Sequence, residues 1–349
     1  MDFSFTVEQH DFAAAVAELL RTHCTPEHVR ATKSGFDRDR WKRLADIGMA
    51  SVCVPEPHGG LGGDDLDLLL AVEECGSAAL PEPVVESTTA ATALGAAMES
   101  GARDGGHADH AVLLARAAEG DALLTVSAPT DPYVAAADHA AALLLEREGA
   151  WYVVDRDRAA LTPQPSVDAP RTLFTVEWDS DGGTLIARGE AARAMSAAVL
   201  NRGALLSGAY LLGAARRLIE MSVSYAKDRI QFGRPIGSFQ AVKHHLADAF
   251  VAVEFARPQV WRAGYSLTSG AATADRDVSA AKASASAAAE RAAAVALQVH
   301  GAIGYTHESD LHLWLTKVWA LSRAWGNAEW HRGRVASSLI DQRLTARLP

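Results

Sequence analysis

Hydrophobic and polar positions alternate with helical spacing at the start of the chain. Thr6 precedes the run and can cap the amide left bare at Gln9, and Phe12, Val16, Leu19 and Leu20 then fall on one face. Trp41, Leu44 and Ile47 mark a second apolar stripe. Between Pro55 and Gly63 four glycines and two prolines forbid a continuous helix. An acidic, leucine-rich segment from Asp64 through Glu74 predicts another helix, ending at Gly76. From Ala122 to about Ile186 the period changes. Leu123–Val126, Ala142–Leu145, Trp151–Val154 and Leu173–Trp178 are short β-prone runs separated by Gly, Asp and Pro, which predicts a small antiparallel sheet unit. From Ala191 onward the chain is again helical and alanine-rich, with runs at Ala281–Ala296 and Leu311–Trp325.

The predicted order is therefore helical, β, helical, with divisions at residues 1–120, 121–188 and 189–349 and no internal repeat. A length of 349 residues suits about two ordinary domains or one large fold with sub-domains. With 49% hydrophobic and 22% charged residues the chain can bury a large core, and disordered or low-complexity classes are excluded. The 33 basic against 43 acidic residues give a net charge of −10, which argues against a general nucleic-acid partner. Cys24, Cys53 and Cys75 form no C-x-x-C pair and are an odd set for disulfides, so reduced thiols in a cytoplasmic protein are expected. No segment reads as a secretory signal or as a bilayer span, and no membrane partner is expected.

Two segments could carry chemistry. The glycines of Gly59–Gly63 have the look of a phosphate loop but lack the lysine and the strand-to-helix setting of one, so a structural turn is the plainer reading. The second, Arg229-Ile230-Gln231-Phe232-Gly233-Arg234-Pro235-Ile236-Gly237-Ser238-Phe239-Gln240, lies between two predicted helices. It offers a guanidinium for a pyrophosphate, an aromatic surface and two amides, with an ordinary inter-helix turn as the alternative. His244, His245 and His300 have no Cys or carboxylate at ligand spacing, so no metal site is expected.

That second segment, with His244-His245-Leu246-Ala247-Asp248 after it as H-x-L-A-D, resembles the flavin-binding signature of the acyl-CoA dehydrogenases. Gln298-Val299-His300-Gly301-Ala302-Ile303-Gly304-Tyr305-Thr306 is similar to the family's Q-x-H-G-G-x-G-[YF]-T, and Leu311–Leu315 resembles the family's next segment. Pro55–Gly62 is similar to its P-E-x-x-G-G-x-G turn. The resemblance spans essentially the whole chain and implies a mainly α fold: an N-terminal helical domain, a small central antiparallel β domain and a C-terminal four-helix bundle.

It also implies FAD lying across a dimer interface, with both C-terminal motifs reaching over to the neighbour's cofactor. Carried over, Arg229 meets the pyrophosphate, Phe232 and Gln240 line the adenosine side, Gln298 and Gly301 hold the adenylate end, and Gln231 joins them as a cofactor-binding residue. Ala302 replaces the second glycine of the pattern, and its methyl is expected to crowd that contact. Other family features are missing. The T-E-P-x-x-G-S-D stretch and the long loop that covers the flavin ring are reduced here to Thr125–Pro132 running directly into Tyr133–Asp138. The family's base is one glutamate at either of two positions. One corresponds to Trp325 and the other falls near Asn201–Gly203, and neither holds a carboxylate. Glu220, Glu254 and Glu329 read as solvated helix-face residues, so no catalytic residue is assigned.

The resemblance thus points to one subunit of an α2β2 heteromeric enzyme, similar to the actinobacterial acyl-CoA dehydrogenases that shorten steroid side chains. A homologous subunit would supply the glutamate, acyl-CoA would be the substrate and an electron-transfer flavoprotein the acceptor. A self-sufficient homo-oligomer with a displaced base, or a non-catalytic scaffold on the same fold, are the alternatives.

Overall fold

The computed structural model describes residues 4–32, 35–99, 107–179 and 181–345. Six helices come first: α1 (Val7–His23), α2 (Pro26–Ala31), α3 (Arg38–Asp46), α4 (Asp65–Ser77), α5 (Val84–Glu99) and α6 (His107–Ala118). α1 starts where the cap was expected, with the Gln9 amide donating to Thr6 Oγ1 (3.3 Å) and the Thr6 amide to Gln9 Oε1 (2.9 Å). Ala13, Val16 and Leu20 form its buried face.

Seven strands come next: β1 (Leu124–Val126), β2 (Val134–Ala135), β3 (Ala142–Arg147), β4 (Ala150–Asp155), β5 (Ala159–Gln164), β6 (Leu173–Trp178) and β7 (Gly183–Arg188). They make a four-stranded sheet ordered β1-β3-β4-β7 and a three-stranded sheet ordered β2-β6-β5. The expected antiparallel pairing holds at every step but one, since β1 and β3 run parallel, Thr125 beside Leu143. The segment after β1 carries the chain through β2 in the other sheet before it returns as β3. β3 shows the period of two that joins both layers: Leu143 and Leu145 pack between the sheets with Val134, Val154 and Phe174, while Ala142 and Leu144 join the helical core.

The C-terminal third holds α7 (Gly189–Asp228), α8 (Gln240–Thr268), α9 (Ala274–His300), α10 (Leu311–Leu321) and α11 (Ala328–Thr345). α10 stops four residues short of Trp325, where a turn takes over. On α9 the buried residues Ala281, Ala285, Ala288, Ala289, Ala292 and Ala296 keep helical spacing, and their small side chains let α7 and α8 pack close against it. The helical core runs unbroken from the first helices through one face of the larger sheet into this bundle.

Candidate functional site

The glycine turn is structural. A 3-10 turn at Glu56–His58 leads into glycines whose amides are occupied: Gly60 donates to Pro55 O (3.3 Å), Gly62 to Val54 O (3.0 Å) and Gly63 to Val52 O (2.7 Å). No row of free N–H groups faces outward there to cradle a phosphate.

The Arg229–Gln240 segment is a tight hairpin at the end of the 40-residue α7. Its strands are β8 (Ile230–Gln231) and β9 (Arg234–Pro235), joined by Phe232 at φ 53° and Gly233 at φ 78°. Arg229, Gln231, Phe232 and Gln240 are all exposed, and Phe232 shows 91% of its surface. The hairpin is nevertheless ordered from within. The Ile236 amide donates to Arg229 O (2.8 Å), the Arg234 guanidinium lies 4.2 Å above the Phe239 ring, and Phe232 meets Phe239 edge to face at 6.1 Å. A large ring held in the left-handed region and pointed at solvent is an uncommon arrangement that costs stability.

The second motif sits beside it at the end of α9. Gln298 and Gly301 are exposed, and Gly301, at φ 61° and ψ −139°, holds a backbone conformation open only to glycine. Ala302 is also exposed. The two motifs meet through Tyr225 and His300, whose rings stack with centroids 4.5 Å apart and 21° between planes. His300 Nδ1 lies 2.8 Å from Ala296 O, and burial lowers its pKa, which favours the neutral imidazole. The sequence therefore named residues that the fold brings to one exposed end of the bundle.

The two expected base positions also come together, and the space between them is full. A methyl at Gly203 on α7 would overlap the six-membered ring of Trp325, which is 1% exposed. Trp325 itself has φ 61°, an unusual value for a bulky residue. Its carbonyl is 2.9 Å from Nε2 of the fully buried His331, whose Nδ1 is 3.1 Å from Ser279 Oγ. A carbonyl can only accept, so Nε2 carries the proton and Nδ1 accepts from the serine. Burial pushes the His331 pKa down to about 4. Asn201 donates to Asp275 Oδ1 (2.6 Å) and accepts from Arg334 Nη1 (2.7 Å). The buried Lys282 donates to Leu321 O (2.7 Å) and Ser286 Oγ (3.1 Å), holding the end of α10 from which the Trp325 turn departs.

Every buried carboxylate among the described residues faces a cation. Asp65 pairs with Arg202 (2.9 Å), Glu73 with Arg257 (3.1 Å), Glu82 with Arg40 (2.6 Å), Glu86 with Arg171 (2.6 Å), Asp168 with Lys317 (2.8 Å) and Asp277 with Arg262 (3.4 Å). Burial raises the pKa of Glu73 despite its arginines, yet Glu73 lines a separate groove between α1, α4, α7 and α8. Glu220 pairs with Arg217 and Glu254 with Arg257, both at the surface, and Glu329 is exposed. These pairs were invisible in the sequence because most of their partners lie tens of residues apart.

Three of the pairs close the place where the helical parts and the sheets meet. The connection from β5 to β6 wedges Asp168 and Arg171 between α10 and the start of α5, and the void left among Glu82, Glu86, Arg171 and Lys317 is about 30 Å³. That volume holds about one or two waters, against the several hundred Å³ that a small-molecule pocket requires. Thr125, the first residue of the reduced T-E-P-x-x-G-S-D stretch, is buried and donates to Ala135 O (2.6 Å).

Residues 6–121 match the acyl-CoA dehydrogenase N-terminal domain and residues 191–340 the acyl-CoA dehydrogenase C-terminal domain. The chain belongs to the acyl-CoA dehydrogenase family. It is similar to acyl-CoA dehydrogenase IpdE2 of Mycobacterium tuberculosis, with 33% identity over 89% of this chain and 91% of that protein. It is also similar to acyl-CoA dehydrogenase FadE34 of the same organism, at 32% identity over 83% of this chain but only 41% of the relative. Among solved structures it is similar to a chain of the ChsE4-ChsE5 complex from Mycobacterium tuberculosis, with a TM-score of 0.83 and 26% identity over the whole of both chains. Set against the FAD that the family implies, the exposed Arg229 hairpin and the end of α9 fit the pyrophosphate and adenine end of the cofactor. The chain's own sheets and base positions do not fit its ring end.

Proposed function

We propose that this acyl-CoA dehydrogenase chain is one subunit of a heteromeric, FAD-dependent enzyme and that it completes the cofactor site of a homologous partner. The reaction is α,β-desaturation of an acyl-CoA thioester, in which a carboxylate takes the α-proton while bound flavin accepts the β-hydrogen as hydride. On this reading the partner supplies the glutamate, the flavin-ring pocket and the acyl site. Arg229 supplies a guanidinium for the pyrophosphate, with Phe232 and Gln240 along the adenosine side, Gln298 and Gly301 at the adenylate end and Gln231 as a further cofactor-binding residue. A steroid side-chain thioester is the proposed substrate, an electron-transfer flavoprotein the proposed acceptor, and α2β2 the proposed assembly.

The observation that carries the reading is the filled base site. Trp325 covers Gly203 where a glutamate from either position would act, and each buried carboxylate is held by a cation. The ChsE4-ChsE5 neighbour is titled a complex of two differently named chains, which supports the assembly. The match to FadE34 leaves more than half of that protein outside the aligned region, room enough for a second unit of this size. The test is co-expression with a homologous chain that carries the T-E-P-x-x-G-S-D loop and the glutamate. A purified complex with one FAD per two chains is the expected result. A homodimer of this chain alone with one FAD per chain overturns the reading.

A further inference from the structure

We propose that Tyr225 and His300 act as a brace that sets the spacing between the two FAD-facing motifs, and so are positioning residues for the cofactor held in trans. The inference rests on the trans-acting role argued above.

Arg229 and Gln298 stand at the ends of two different helices, and both side chains are exposed. Helix ends fray, and a cofactor spanning two frayed ends must order both when it binds. Here the fraying is checked at one point. The Arg229 amide donates to Tyr225 O (2.9 Å), closing the last turn of α7, so the Arg229 backbone moves with Tyr225. His300 directly precedes Gly301 and lies two residues after Gln298, and Ala296 O (2.8 Å) fixes its ring orientation. The ring stack at 4.5 Å is thus a direct side-chain link between the turn that carries Arg229 and the turn that carries Gln298 and Gly301. On its outer side lies a groove of about 490 Å³ whose wall includes Arg217, Glu220, Asp228 and Ser309. Tyr225 is only partly buried and lies outside the main hydrophobic core, while His300 is buried at the end of α9, so the stack ties the surface turn of α7 to a fixed point on α9.

The experiment uses the complex with its homologous partner, stripped of flavin and titrated with FAD, for wild type, Tyr225→Leu, Tyr225→Phe, His300→Leu and the Tyr225→Leu/His300→Leu pair. Tyr225→Leu and His300→Leu are each expected to raise the FAD dissociation constant up to about tenfold, in keeping with the worth of one aromatic pair. Tyr225→Phe, which keeps the stacked ring, should bind FAD about as wild type does. The double variant should be no weaker than either single one, because both remove the same contact. Thermal unfolding of the flavin-free complexes should coincide, which separates positioning from loss of fold. Wild-type FAD affinity in Tyr225→Leu overturns the brace, as does equal weakening by Tyr225→Phe or strict additivity in the pair. A wild-type complex that takes up no FAD overturns the functional reading and the brace together, whereas wild-type affinity in every variant overturns the brace alone.

Discussion

α7 carries both halves of the contrast in this molecule. Gly203, in its first half, is covered by the Trp325 ring and backed by a buried hydrogen-bond network. Twenty-six residues on, roughly 39 Å along an ideal helix, Arg229 opens a hairpin that shows solvent an arginine, two glutamines and an almost bare phenylalanine. The first region is given over to packing, filled by a bulky ring, a tied histidine and a neighbouring ion pair. The second presents polar and aromatic groups to solvent, with Gln231 Nε2 donating to Ile230 O and Phe232 meeting Phe239 edge to face, and holds Phe232 in a strained conformation. Strain and exposure that a fold does not use internally point outward, to a ligand or a partner. Two regions of one helix therefore differ in kind, one filled from within the chain and the other presented to solvent.

The contrast is broken most severely at the wedge between the sheets and the helices. Arg171 is 13% exposed and Glu86 4%, so Arg171→Ala strands a buried carboxylate and should cost about 3–5 kcal/mol. Urea unfolding of the purified complex measures it, and a loss under about 1 kcal/mol would show that the pair does not close the junction. Gly203→Val attacks the filled base position by forcing a branched side chain into the Trp325 ring. Overpacking of this kind costs about 1–3 kcal/mol or more, and a second change, Trp325→Ala, should recover part of the loss if the two residues are coupled as the structure shows.

How much of this was legible beforehand depends on how local each feature is. The Thr6–Gln9 cap, the four β-prone runs and the alanine-rich face of α9 all arise from spacings of a few residues, and the structure contains each of them. β2, with only two residues, and β5, which contains Pro163, carry too little periodicity to announce themselves. The parallel direction of β1 against β3 is set by where the chain travels between them, which no alternation pattern records. The exposed motifs were readable as motifs. The closure of the base site was not, because Gly203 and Trp325, or Arg171 and Glu86, meet only after the whole chain has folded.

A pH dependence sharpens the buried side of the comparison. His331 has a folded pKa near 4 through burial, below the usual histidine value of about 6.5, so the unfolded chain binds more protons between those values. Stability contributed by the neutral ring is complete above about pH 6.5 and lost as pH falls toward 4. Between pH 7 and pH 5 the expected loss from this residue is about 2 kcal/mol. Chemical unfolding at the two pH values, in wild type and His331→Gln, isolates it. The glutamine can donate and accept in place of the ring but does not titrate, so its complex should lose about 2 kcal/mol less on acidification. Equal losses in both proteins would mean that His331 is not held neutral.

The smallest effect on the fold, and the most informative for function, is expected at the exposed end. Arg229 has no ion-pair partner among the described residues and contributes only its backbone to the hairpin, so Arg229→Ala should leave urea stability within about 0.5 kcal/mol of wild type. If its guanidinium meets the pyrophosphate of the partner's cofactor, its loss removes a charge-assisted contact of about 1.5–3 kcal/mol and weakens FAD binding by the complex roughly 10- to 100-fold. Arg229→Lys should recover only part of this, because an ammonium lacks the planar fork that grips two phosphate oxygens. Unchanged flavin content in Arg229→Ala would place the pyrophosphate elsewhere. A parallel fall in stability would show that the hairpin serves this chain rather than its neighbour.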